Sequence, residues 1–250
     1  MSSQRSVRAA APRRARSPRA AAPWAILVAL AALAAPSAAP AFDDPARRGP
    51  GRVELRTPEI VRWTGRVDVA AVGRLRALLE ANPSVTTLEF VDSPGAFEWG
   101  RKVVVEAGAL VRERGLATVA RGYCISACAS IFLAGTTRRL EAPETADATT
   151  FLHLHGVYAP GESGPALHEG GTRWLLRVVG ERAGEPLPAP LADAILGART
   201  PKGGVYVFRV PTRGAVREAV YACTGEETRI PADCRPYRER TAKGMGLLRD

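Results

Sequence analysis

The side chains in this chain whose types and spacing could do chemistry are one serine, two of its three histidines and its four cysteines. The serine is Ser126, within the run Tyr123-Cys-Ile-Ser-Ala-Cys-Ala-Ser-Ile-Phe-Leu-Ala-Gly135. A strand-like stretch, Leu116 to Ala120, precedes it, and Gly122 supplies a turn. The small apolar residues after Ser126 predict a buried helix closing on Gly135. A serine on a tight turn between a strand and a helix exposes its hydroxyl beside converging backbone N–H groups. Those are the parts of a nucleophile with an oxyanion hole. The competing role for Ser126 is a helix N-cap, in which the hydroxyl would accept a first-turn N–H.

His153 and His155 alternate along one predicted strand, Thr150 to His155, and therefore share a face. Read as a metal pair, they lack a third ligand at a recognisable spacing, so no metal site and no cofactor is assigned. His168 lies in a Gly-rich stretch and is expected to be solvated. Cys124 and Cys128 bracket Ser126 with three residues between them, which is not the two-residue spacing of a redox pair. Their apolar surroundings keep a thiol protonated, and both are read as structural. Cys223 and Cys234 flank a polar segment and form the more natural disulfide. Cys124 and Cys128 could bridge across the turn or remain two small buried thiols, and the sequence leaves that pairing open.

Strands alternating with helices must position these residues. Ile60 to Trp63 reads as a strand, and residues 68–81 place Val72, Leu75, Leu78 and Leu79 on one helical face before Asn82-Pro83. Val85 to Val91 alternates as a strand, and Asp92-Ser93-Pro94-Gly95 turns the chain. Val103, Ala107, Leu110 and Val111 recur at helical spacing over 97–114. Beyond a polar connection carrying Arg138-Arg139, which reads as solvated, comes the histidine strand. Residues 159–172 have the glycine and proline content of a surface loop or lid. Helices are predicted near 174–182 and 191–196, a strand at Val205 to Val210, and a short helix at Ala215 to Tyr221. The alternation predicts an α/β fold with a parallel sheet buried on both faces.

The chain divides into a signal peptide (1–41), a flexible lead-in (42–58), one domain (59–235) and a C-terminal tail (236–250). The leader has six arginines, then an apolar run from Trp24 to Ala35 and small residues at Ala39-Pro40-Ala41. It predicts export to the periplasm or the exterior, with membrane attachment only if it stays uncleaved. The whole chain carries 35 basic and 25 acidic residues. Without the six leader arginines the balance is 29 to 25, or +4, so no nucleic-acid partner is inferred.

The order of parts resembles a known family. Strand, helix, strand, Ser93-Pro94-Gly95-Ala96, helix, strand, the Ser126 turn, Ala134-Gly135, a basic connection and a strand ending in histidine are similar to the Clp protease proteolytic subunit and the wider crotonase-type fold. The chain looks most like the exported Clp-like group with a Cys-x-Ser-Ala-Cys turn, over roughly residues 59–210. The resemblance implies that Ser126 is the nucleophile, because Gly135 follows at the family's separation. It implies oxyanion N–H groups at Ala96 and Ala127, with His155 as base and His153 in reserve. Where the family has an acid to orient the histidine, this chain has Arg199-Thr200, and Asp193 is the weak substitute. Fold, peptide or small acyl substrate and self-association follow as expectations. The missing acid motivates the alternative, a non-catalytic periplasmic scaffold or binding protein that retains the fold.

Overall fold

The computed structural model describes residues 49–96, 100–145, 148–162, 164–212 and 215–250, all within one compact unit, Ser37–Asp250. The leader lies outside the described residues, as do residues 42–48 of the lead-in and Trp99. The chain begins with a hairpin, β1 (Arg52–Thr57) and β2 (Ile60–Thr64), followed by α1 (Val69–Ala81) and β3 (Thr87–Ser93). Then come α2 (Gly100–Glu113), β4 (Ala117–Ile125), α3 (Ala127–Phe132), β5 (Arg138–Leu140) and β6 (Phe151–Leu154). A second hairpin, β7 (Tyr158–Gly161) and β8 (Gly164–Leu167), leads to α4 (Glu169–Ala183) and α5 (Ala189–Leu196). The fold closes with β9 (Gly204–Thr212), β10 (Ala215–Cys223) and β11 (Arg235–Tyr237).

One mixed sheet runs β1-β2-β3-β4-β6-β9-β10-β11, with β5 paired to β4. Strands β2, β3, β4 and β6 are parallel, and antiparallel strands flank them on both sides. All five helices contribute to the same apolar layer, packed on Val61, Trp63, Leu88, Phe90, Cys124, Leu152 and Val207. Each fully buried leucine in that layer contributes about 1.5–3 kcal/mol of transfer free energy. The helices start and stop for local reasons. Asp68 caps α1 by accepting the Ala71 N–H at 2.7 Å, and Asn82 ends it by donating back to the Leu78 carbonyl.

The sheet, expected to be buried on both faces, has its described helices packed on one of them. The face away from the helices carries an ion-pair cluster instead. Glu89, 2 % exposed, accepts from Arg56, Arg62 and Arg121. Burial pushes the Glu89 carboxyl up, but hydrogen bonds from Arg121 and Arg62 and the charges of Arg62 and Arg56 outweigh it and hold the group below its ordinary value. Farther along this face, Ile125, Phe151, Tyr206 and Phe208 gather against Cys223 and Cys234.

Five local readings are corrected. Residues 52–57 of the lead-in form edge strand β1, recruited by antiparallel pairing to β2. The tail is built in, with Ala242, Met245, Leu247 and Leu248 all buried and Arg249 bridged to Arg138 through backbone hydrogen bonds. The segment Ala215 to Tyr221, read as a helix, is most of strand β10, because nine consecutive residue pairings with β9 override its helix-like spacing. The 159–172 loop is the β7–β8 hairpin and the start of α4, which His168 caps by accepting the Gly171 N–H. Arg138, read as solvated, is 1 % exposed and donates to the Leu133 carbonyl at the end of α3 and the Arg182 carbonyl in α4. Burial, with the nearby Arg249 charge, lowers its pKa to about 10.

Candidate active site

Strand β4 does not end at Gly122 as the sequence suggests. It passes through a bulge opposite β3 and continues to Ile125, changing its lateral partner from β5 to β6 on the way. Ser126 is therefore the single residue between strand and helix. Its backbone sits at φ 59, ψ −118, a conformation an L-residue holds only under constraint, at a cost on the order of 1–3 kcal/mol. Ser126 and Asp92 are the non-glycine residues at positive φ among those described. The N-cap role is not taken up: Ser126 occupies the cap position of α3, but its side chain makes no capping hydrogen bond. Ser126 is left half-buried at the C-terminal end of the parallel strands, where ligand sites of open α/β sheets form.

Three constraints hold this elbow. The Ser126 N–H donates to the His153 carbonyl at 2.9 Å, and its carbonyl accepts from Ser130 N–H at 3.0 Å. The Cys124–Cys128 disulfide joins β4 to α3 across the turn, with 5.3 Å between Cα atoms and both residues fully buried. Gly95 presses on it from β3's side, at φ 86. A Cβ there would lie 2.5 Å from the Ile125 carbonyl oxygen, 2.8 Å from Ser126 Cβ and 3.2 Å from Ala127 N. Only glycine fits such a backbone-to-backbone approach. Ala96 therefore follows the left-handed residue without being one itself, so its backbone carries no left-handed strain. Ala127 opens α3, so its N–H is a first-turn donor with no intrahelical partner.

His155 lies one residue beyond β6. The β4–β6 register pairs Ile125 with His153, so Ser126 and the residues just past β6 emerge side by side. The His155 Nδ1 is 2.7 Å from the Gly156 carbonyl oxygen. A carbonyl only accepts, so Nδ1 carries the proton and Nε2 keeps the lone pair a general base needs. Burial lowers the pKa of His155, partly offset by the Gly156 hydrogen bond, and leaves the imidazole neutral at pH 7. Among the described residues no hydrogen bond joins Ser126 Oγ to His155. Catalytic hydrogen bonds are often long before substrate binds.

His153 is brought to the same place and used differently. It is 1 % exposed, stacks on Tyr206 with ring centroids 3.9 Å apart, and donates from Nε2 to the Gly203 carbonyl at 3.1 Å. Burial and the neighbouring His155 hold its pKa well below the ordinary value of 6.5. It is a core histidine beside the candidate base, with ring centroids 5.0 Å apart. Asp193 is exposed on α5 and is not brought to His155, since α5 packs through Leu191 and Ile195. Arg199 is paired with Glu226 at 2.8 Å, and Thr200 accepts at its carbonyl from the Tyr158 hydroxyl at 2.7 Å. The group hydrogen-bonded to the His155 ring is thus a backbone carbonyl.

Sequence reasoning missed the contacts of Gly156 and Tyr158 with the His155 ring and of Thr172 with the Val157 N–H. Tyr158 sits 6.0 Å from the His155 ring and is anchored by its hydroxyl to the Ala198 and Thr200 carbonyls. The available signal was their position immediately after the histidine and at the start of α4. The Cys223–Cys234 disulfide ties the end of β10 to the segment before β11. Glu227 lies close to both sulfurs, but the disulfide leaves no thiolate to bind a metal. Two disulfides are compatible with an extracellular or periplasmic setting. Among the described residues no helix is long and apolar enough to cross a membrane.

No family model matches the chain, and no curated protein does. Among solved structures, a point mutant of ClpP1 from Listeria monocytogenes is similar at 15 % identity, over 51 % of this chain and 74 % of that one, with a TM-score of 0.34. A likeness at that level carries no weight for activity. The molecule is built on a mixed α/β sheet in which a strained serine and a histidine leave neighbouring parallel strands together.

Proposed function

We propose that this chain is an exported serine peptidase-like acyl hydrolase on a Clp/crotonase-like α/β fold, acting on a peptide or small acyl substrate. The observation that carries the reading is the backbone of Ser126, strained, uncapped and beside the end of the histidine strand. Strain of this kind persists where surrounding structure over-determines it, and such sites cluster at reactive residues. In the proposed reaction Ser126 Oγ attacks the substrate carbonyl carbon while His155 Nε2 takes the hydroxyl proton. The N–H groups of Ala96 and Ala127 receive the developing oxyanion. The imidazolium then returns the proton to the leaving group, and water repeats the cycle on the acyl-enzyme. Gly156 fixes the tautomer but supplies no negative charge to steady the imidazolium, so the reaction is expected to be slow beside a triad with its acid.

A serine-directed fluorophosphonate tests the proposal. Covalent labelling is expected in the wild type and absent in Ser126→Ala, and labelling unchanged by that substitution overturns it. The second reading is a periplasmic scaffold or binding protein without chemistry. It is favoured by one observation, that among the described residues neither Ser126 Oγ nor a carboxylate is hydrogen-bonded to His155. A folded wild type that never labels is the result expected from it. Self-association belongs to the same proposal and is checked by sedimentation of the mature chain.

A further inference from the structure

Among the described residues no carboxylate is hydrogen-bonded to His155, and its ring is held by a backbone carbonyl instead. We infer that Thr172 is a positioning residue for His155, acting through the Gly156–Val157 peptide group. The inference rests on the hydrolase reading and specifies how its base is oriented. The Gly156 carbonyl and the Val157 N–H belong to one planar unit and turn together. The carbonyl accepts the His155 Nδ1 proton at 2.7 Å, while the Val157 N–H donates to Thr172 Oγ1 at 3.0 Å.

Thr172 is suited to fixing that plane. It is fully buried, and its own hydroxyl proton is committed to the His168 carbonyl at 3.0 Å, so a lone pair faces Val157. A β-branched side chain in a helix has few alternative rotamers. The next carbonyl is tied as well, since the His168 N–H donates to Val157 O at 2.7 Å. The surroundings are close-packed: a Cβ on Gly156 would press on Leu167 Cδ1 and lie 3.2 Å from Thr172 Oγ1. If the plane rotated, Nδ1–H would lose its acceptor. The tautomer protonated at Nε2, which cannot take a proton from Ser126, would then compete. Thr172 supplies the orientation an acid would supply, without the charge.

The test uses the mature chain and two readouts. Long-range proton–nitrogen spectra report which ring nitrogen of His155 carries hydrogen, with the signals assigned by their loss in His155→Gln. Fluorophosphonate labelling reports the rate. The wild type and Thr172→Ser are expected to show one tautomer, protonated at Nδ1. Thr172→Val and Gly156→Ala are expected to show a mixture. Labelling by Thr172→Val should fall about 10-fold, part of the roughly 10²–10⁴-fold a positioned base contributes, and recover in Thr172→Ser. A single unchanged tautomer with unchanged labelling in Thr172→Val overturns the inference. If that variant does not fold, the Gly156→Ala spectrum decides in the same way. If even the wild type never labels, the hydrolase reading fails while the spectra still decide the role of Thr172.

Discussion

The two halves of the candidate site are built by different means. The Ser126 half is held by backbone and covalent constraint: its N–H on the His153 carbonyl, the close approach of Gly95, and a disulfide between residues four apart. The His155 half is held by side-chain hydrogen bonds: Val157 N–H to the Thr172 hydroxyl, and the Tyr158 hydroxyl to the Ala198 and Thr200 carbonyls. The first half stores strain, and the second stores none but depends on the packing of α4 and the 198–200 turn. A nucleophile tolerates strain because its exposure is the gain. A base needs one ring orientation, and a network of ordinary hydrogen bonds provides it.

The largest effect on this contrast is expected at Gly95. Gly95→Ala puts a Cβ against Ser126 at a positive φ and should cost about 3 kcal/mol while abolishing labelling. Chemical denaturation with parallel labelling checks both. The disulfides come next, and here stability and reactivity should separate. By loop-closure entropy, removing Cys223–Cys234 costs about 3 kcal/mol and removing Cys124–Cys128 about 2 kcal/mol. The smaller loss of stability should carry the larger loss of labelling, because only the second bond spans Ser126. Equal labelling by the two double-alanine variants would remove the disulfide from the account of the elbow.

Ser126→Gly should end labelling yet raise stability by about 1 kcal/mol, since relief of strain exceeds the entropy cost of glycine. Loss of stability there would mean the turn is not strained. The smallest effect is expected from Tyr158→Phe, which removes hydroxyl bonds worth about 1 kcal/mol and should slow labelling only by loosening His155.

The pH dependence has a definite sign. His153 and His155 both have folded pKa values below 6.5, so the unfolded chain binds protons more readily. Their contribution to stability is complete above pH 6.5 and is lost as pH falls from there through the depressed folded values. Labelling should follow the same direction, rising with pH through the folded value of His155 and level by neutrality. Stability rising as pH is lowered below 6.5 would show that these rings are charged in the fold.

How much was legible in the sequence follows the same division. The Ser126 strand-to-helix junction and the alternation of β2, α1, β3, α2 and β4 are encoded by neighbouring residues and were readable, although Asp92 and Ser93, read as part of a turn, extend β3. His155 was readable as a strand-end histidine, but Thr172 and Tyr158 were not, because their role exists only once α4 and the 198–200 turn fold back. Strand β10 was missed for the same reason, since its identity comes from β9 rather than from its own spacing. Gly122 misled because a bulge and a turn favour the same residue. Arg138-Arg139 reads as a charged pair, and nothing local reveals that the first of the two is buried against carbonyls of α3 and α4.

A crystal structure of the phosphonate adduct puts the pairing of Ser126 and His155 to the most direct test. The expected result is phosphorus bonded to Ser126 Oγ and one phosphonyl oxygen about 2.7–3.1 Å from the N–H groups of Ala96 and Ala127. His155 Nε2 should lie within hydrogen-bond reach of Ser126 Oγ, with Nδ1 still on the Gly156 carbonyl. An adduct on another residue, or an imidazole too far from Ser126 Oγ to share a proton even through one water, would contradict it.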